Sequence, residues 1–194
     1  MIIPACRALF EAQNWTLRGK ELTRHRRCVV VGAPHTSNWD FAYTLAAFDM
    51  LGLPLRFTIK RQWMRFPFNL VVEPVGGLAI DRRPRKESGD RPSMVETMID
   101  LFDEHPDELA LVVTPEATRS RVERWKSGFY HVARGAEVPI LLGYLDYRKR
   151  EAGIGAVLEP SGDYEADMRK MMDFYSPIVP KHPERFSLDR RFIA

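Results

Sequence analysis

The sequence predicts a single α/β domain. Two apolar runs, Cys28-Val29-Val30-Val31-Gly32 and Leu109-Ala110-Leu111-Val112-Val113, read as buried strands, and each runs straight into a loop of polar residues. Between them lies a segment of helical period, in which Met94, Val95, Met98, Ile99 and Phe102 form one stripe behind the capping-box pattern Ser93-Met94-Val95-Glu96. Strands and helices in this order, with polar loops gathered at one edge of the sheet, are how α/β proteins build a site. A length of 194 residues suits one core, and 45% apolar with 28% charged residues excludes a disordered chain. No repeat, low-complexity stretch or linker divides the chain, so residues 1–194 are read as one domain.

The elements follow in order. Residues about 2–16 read as an amphipathic helix, with Ile3, Cys6, Phe10 and Leu17 near helical spacing, so 1–17 is taken as an N-terminal helical segment. Trp15 suits either an interface anchor or the core. Strands are expected near Arg27–Val31 and Leu55–Ile59, with a helix from about Asp40 to Leu51 between them. Ser93 opens a helix running to about Glu104, whose stripe is expected to pack in the core. Glu108–Val113 is the next strand, and Ser127 is expected to cap a helix ending near Gly135 that carries His131 as a packing or surface residue. Ile140–Tyr147 and Gly153–Leu158 read as strands joined by the turn Arg148–Ala152. A last helix spans Asp163 to Tyr175 and is closed by Pro177; residues 177–194, with Pro180 and Pro183, are expected to be an extended tail.

The most informative stretch is His35-Thr36-Ser37-Asn38-Trp39-Asp40, just after the first apolar run. On a continuous helix five residues turn about 500°, which would point the two side chains to different sides. A strand, a sharp loop and a helix fit better, with His35 on the loop and Asp40 in the first helical turn. Such a loop folds the carboxylate back onto the imidazole and makes an oriented general base with no serine or cysteine beside it. The substrate's own hydroxyl would then be the nucleophile. Alone, the pair fits equally a histidine at a strand end and an aspartate capping a helix.

Three further blocks follow. Gly76-Gly77-Leu78-Ala79-Ile80-Asp81-Arg82-Arg83 combines glycines that allow tight backbone with arginine forks suited to phosphate. Thr114-Pro115-Glu116-Ala117-Thr118-Arg119-Ser120 ends the second apolar run, and Val138-Pro139-Ile140 opens another; all four loops are expected at one sheet edge. In this order the blocks resemble the PlsC-like glycerophosphate/lysophosphatidate acyltransferases, with their H-x-x-x-x-D, G-x-x-x-x-R, F-P-E-G-T-R-S and V-P-I motifs. His35 and Asp40 match the first, Gly77 and Arg82 the second, Pro115, Glu116, Thr118, Arg119 and Ser120 the third, and Val138, Pro139 and Ile140 the fourth. The resemblance spans roughly Val29 to Leu145. Thr114 stands in place of an apolar residue and Ala117 in place of the family glycine, which bears on acceptor preference.

The resemblance implies a mixed central sheet flanked by helices, as in glycerol-3-phosphate acyltransferase, and an O-acyltransferase acting in phospholipid synthesis. His35 would take the proton of an acceptor hydroxyl while Asp40 fixes the imidazole. The hydroxyl would attack the thioester of acyl-CoA or acyl carrier protein, the acceptor being a lysophospholipid and foremost 1-acylglycerol-3-phosphate. Arg82 and Arg119 would hold the acceptor phosphate, and Glu116 would meet the glycerol or orient Arg119. Thr118 and Gly77 complete the substrate-binding set, with Pro115 and Thr118 shaping the loop. Ser37 and Asn38 would cap the helix or reach the acyl carbonyl. No cofactor beyond the acyl donor and no metal is expected, because no ligand spacing favours one. Two alternatives stay open: a thioesterase or lipid hydrolase using the same pair on water, and a non-catalytic binder of anionic lipid.

Charge points to where such a protein would work. The net charge is only +3, but from Arg18 to Arg27 five basic residues face Glu21 alone, and from Arg56 to Arg91 nine basic residues face four acidic ones. Trp63, Phe66, Pro67 and Phe68 lie within the second cluster, and basic plus aromatic residues suit an anionic membrane surface better than nucleic acid, for which no module is present. No stretch approaches the roughly 18 apolar residues of a spanning helix, and Arg7 and Glu11 break the N-terminus too soon for a signal peptide. Cys6 and Cys28 form no disulfide framework and point to a reducing compartment. The expected location is cytoplasmic, peripheral on the membrane.

Overall fold

The computed structural model describes residues 2–80 and 92–193. Seven strands form one sheet in the order β1-β7-β6-β2-β5-β3-β4. They are β1 (Thr16–Arg18), β2 (Arg27–Gly32), β3 (Leu55–Lys60), β4 (Gly77–Ile80), β5 (Leu109–Val113), β6 (Ile140–Asp146) and β7 (Glu151–Leu158). All neighbours are parallel except the β6–β7 hairpin, so the sheet is mixed. The helices are α1 (Ile2–Ala12), α2 (Trp39–Leu51), α3 (Asn69–Val72), α4 (Met94–Glu104), α5 (Gly128–Gly135) and α6 (Tyr164–Tyr175).

The central strands read as unbroken apolar runs because both faces are covered. Val29, Val31, Leu109, Leu111, Ile140 and Leu142 face a core built with Phe102, Phe129 and Met168 from α4, α5 and α6. The alternate residues Cys28, Val30, Ala110 and Leu141 face Phe10 of α1 and Ala46 and Phe48 of α2. This period-2 division sets the sheet between two helical layers. Both cysteines are buried and unpaired.

Several expected elements change. The N-terminal helix stops at Ala12 rather than near residue 16, because Asn14 takes φ 55° and the chain then enters β1. Trp15 goes to the core and stacks on Tyr43 at 4.4 Å. The strand β4 lies within the glycine-rich block and had no periodic signal. Gly76, at φ 95°, passes close under the Leu55 carbonyl, and a Cβ on Gly77 would collide with Val72. Gly77 thus has a packing reason of its own in the terminal strand.

The capping box at Ser93 is present in both directions, with Ser93 Oγ accepting from Glu96 N at 3.1 Å and Glu96 accepting from Ser93 N at 2.6 Å. Ser127 precedes α5 but its side chain makes no cap bond. Asp163 does cap α6, through Ala166 N at 3.0 Å. The tail after Pro177 contains a short 3-10 turn, Pro183–Arg185, and is bound to the domain: Asp189, fully buried, accepts from Trp125 N at 2.8 Å and Arg191 Nη2 at 2.6 Å.

Strand direction corrects one further expectation. β2, β5, β3 and β4 are parallel, so the loops after β2 and β5 share one edge with the end of β4. β6 is also parallel to β2, and Pro139 O accepts from Val29 N at 3.0 Å. Val138-Pro139-Ile140 therefore enters the sheet at the opposite edge. The loops after β2 and β5 meet at the edge that carries His35, and the described part of the glycine-rich block, β4, ends at that edge.

Candidate active site

The loop between β2 and α2 is only six residues long, Ala33 to Asn38, and it turns the chain through the sheet edge. Asp40, in the first turn of α2, is buried at 3% exposure. Its Oδ2 accepts from Thr36 N at 2.8 Å and Ser37 N at 2.9 Å, and lies 3.2 Å from His35 Nδ1. Its Oδ1 accepts from Tyr147 Oη at 2.6 Å. Burial opposes its ionisation, but the bonds from His35, Tyr147, Ser37 and Thr36 outweigh it and hold the carboxyl below its ordinary value. The helix N-terminus favours the same charge. With Nδ1 bonded to Asp40, Nε2 of His35 is the nitrogen left to take a proton. His35 keeps 24% of its side chain exposed and lines the adjoining cavity.

Glu116, after β5, reaches the same loop from the other side. Its two oxygens accept from the His35 backbone N–H at 3.2 and 3.0 Å. The expected link to Arg119 is absent from its hydrogen bonds; Arg119 Nη1 instead donates to Asn38 Oδ1. Burial pushes the Glu116 carboxyl from 4.5 up to about 8, opposed by the His35 N–H and reinforced by the charge of Asp40. An acid whose folded pKa lies above its unfolded one binds more protons when folded, so its contribution to stability falls as pH rises through that window. The stability difference between the parent and Glu116→Gln should therefore shift against the parent as pH rises from 4.5 to about 8. Urea unfolding of both proteins across that range checks it; a difference independent of pH would mean that Glu116 titrates normally.

Ala117 sits at φ 57°, in the region that glycine tolerates and alanine does not. An alanine held in this conformation strains the loop by roughly 1–2 kcal/mol. The Ala117 methyl also faces the cavity. Thr118 shapes the loop by accepting from Ser120 N at 3.2 Å. Arg82 lies outside the described residues.

The cavity that opens beside His35 and Asp40 has a volume of about 630 Å³. Phe41, Phe57, Val112 and Phe129 contribute to its largely apolar wall, with Thr44, Thr58 and Lys126 among the few polar residues. Met94, Val95 and Met98 line it too, so the first turns of the α4 stripe serve a cavity wall rather than the core alone. Among the described residues neither cysteine and no serine lines it. The volume lies in the range of sites that take small organic ligands, about 300–1,000 Å³.

Two features of the site were invisible in the sequence. Tyr147 lies 107 positions from Asp40 and reaches it only because β6 is the neighbour of β2. The one available signal was its place at the end of a strand on the same edge. The tail is the other: His182 N donates to Thr36 Oγ1 at 3.3 Å, and Lys181 Nζ lies 5.2 Å from the Trp39 ring centre and 5.8 Å from that of Tyr147.

The family model described as Acyltransferase matches residues 14–141, about two thirds of the 194 residues. No curated protein matches the chain. Among solved structures, the 1-acyl-sn-glycerophosphate (LPA) acyltransferase PlsC from Thermotoga maritima is similar at a TM-score of 0.60 and 17% identity, over 91% of this chain and 76% of that one. At that identity the likeness concerns the fold.

Proposed function

The chain belongs to the acyltransferase family, and from that premise we propose that it transfers an acyl group from acyl-CoA or acyl carrier protein to the free hydroxyl of a lysophospholipid, with 1-acylglycerol-3-phosphate the favoured acceptor. The observation that carries this reading is the His35 Nδ1–Asp40 Oδ2 contact of 3.2 Å at the mouth of an apolar cavity. His35 Nε2 takes the hydroxyl proton as the oxygen attacks the thioester carbonyl. The tetrahedral intermediate collapses, the C–S bond breaks, and the thiolate leaves and recovers the proton from the imidazolium. Asp40 holds the tautomer and stabilises the imidazolium. With no serine or cysteine among the described residues that line the cavity, direct transfer is favoured over an acyl-enzyme. The apolar cavity suits the acyl chain, Arg119 and Arg82 suit the acceptor phosphate, and no metal or cofactor takes part. The test is an acyl-transfer assay with purified protein, acyl-CoA and a panel of lysolipids. Phosphatidate should form from lysophosphatidate; release of free fatty acid alone would replace transfer by hydrolysis.

The acceptor is a membrane lipid, and the surface offers a place to meet it. Phe66 is 80% exposed, and Phe68, Leu70 and Val71 are exposed beside it, between β3 and β4. Arg61 and Arg65 are exposed on the same segment. Among the described residues no helix is long and apolar enough to cross a bilayer. This segment is expected to lie on an anionic bilayer. Replacing Arg61 and Arg65 by Gln should weaken co-sedimentation with phosphatidylglycerol vesicles by about fivefold per residue at low salt, from the roughly 1 kcal/mol each basic residue contributes near such a surface. Salt should weaken parental binding likewise. Unchanged binding by the variant would move the contact elsewhere.

A further inference from the structure

We propose that Tyr147 is a positioning residue of the acyl-transfer dyad, holding Asp40 by the carboxylate oxygen that His35 does not use. The inference rests on the dyad reading above. The two oxygens of Asp40 have divided duties. Oδ2 receives Thr36 N, Ser37 N and His35 Nδ1. Oδ1 receives the Tyr147 hydroxyl at 2.6 Å, a length in the range of strong O–H···O⁻ bonds. A carboxylate bonded through one oxygen can still turn about its Cβ–Cγ bond. Bonded through both, its plane is fixed, and so is the imidazole that bonds to it.

The tyrosine is itself held from several sides. Trp15, between α1 and β1, packs edge-on at 5.0 Å, and Tyr43 of α2 packs edge-on at 5.8 Å. From the tail, Lys181 Nζ stands over the ring at 5.8 Å, and Val179 O accepts from Tyr147 N at 2.8 Å. Burial, the bond to Asp40 and the charge of Asp40 all raise the phenol well above its ordinary range. The hydroxyl therefore stays protonated and serves as a donor throughout, with no share in proton transfer. Its bond to Asp40 also draws charge away from the imidazolium, an effect opposed to turnover. We take orientation to be the larger effect, because a misplacement of reacting groups costs more than a modest change in the field at an already paired carboxylate.

Tyr147→Phe removes only the oxygen and leaves the aromatic packing, so the full chain is tested with this variant, acyl-CoA and lysophosphatidate, at a temperature where thermal melting shows parent and variant folded. The expected result is a fall in kcat of about tenfold, the scale of one lost hydrogen bond to a charged group. KM for both substrates should stay within about twofold, because the tyrosine acts on the dyad and not on substrate. Since it acts through Asp40, adding Tyr147→Phe to Asp40→Asn should cost nothing further. The proposal is overturned by an unchanged kcat in Tyr147→Phe, by a change confined to KM, or by losses that multiply in the double variant. The dyad reading fails separately: if Asp40→Asn itself is fully active, the dyad is wrong, whereas an inactive Asp40→Asn beside a normal Tyr147→Phe removes only the role of the tyrosine.

Discussion

Replacing His35 by Ala should lower kcat by about 10²–10⁴-fold, the usual contribution of a general base, while the protein stays folded. The imidazole is partly exposed on a loop and packs into no core, so its removal leaves the sheet and helices intact. Asp40→Asn should fall in the same range for a different reason. An amide cannot accept from Thr36 N, Ser37 N and His35 Nδ1 and also stabilise an imidazolium, so the ring loses both its orientation and its counter-charge. Because the two residues act as a unit, the double variant should be little worse than either single one. Steady-state kinetics with circular dichroism as the folding control decides the matter. Near-parental turnover by folded His35→Ala would remove the mechanism.

Arg119→Ala should raise the acceptor KM roughly ten- to a hundredfold and leave the acyl-CoA KM unchanged, from the roughly 1.5–3 kcal/mol of one charge-assisted bond. The bond from Arg119 to Asn38 sets the guanidinium beside the loop that carries His35, which is where the phosphate of an acceptor poised for attack would lie. Lys should rescue only partly, since it lacks the planar fork. A neutral acceptor such as monoacylglycerol should be poor for the parent and hardly affected by the substitution. Arg82→Ala is expected to behave alike if both arginines grip one phosphate. Ala117→Gly is the control for loop strain, because the αL alanine stands two residues before Arg119. Equal weakening of phosphorylated and neutral acceptors would make the arginines structural.

What could be read from the chain was local. The dyad spans five positions and is closed by backbone N–H groups of its own loop, so its spacing after an apolar run, together with the three blocks that follow it, made the pair legible. The capping box at Ser93 is a bond pair within one turn and was legible for the same reason. The short elements were not. β1 has three residues and exists by pairing Thr16 with Glu151, and β4 has four residues that pair with β3 and open on Gly77, packed against Val72. Neither is long enough to show a period, and both are held by pairing with another strand.

The α/β class, the apolar strands, most helices and the His35–Asp40 pair could be read along the chain, because they follow from side-chain periodicity and from contacts within a few residues. Which loops share an edge emerged from the folded sheet alone. Strand direction placed the loops after β2 and β5 together and sent Val138-Pro139-Ile140 to the far side. It likewise decided that Glu116 supports His35 rather than Arg119, that Tyr147 closes the carboxylate of Asp40, and that the tail lies against the dyad loop. Each of these contacts joins residues more than 80 positions apart. Pairing at that distance depends on strand order and direction, which no local pattern of residues encodes.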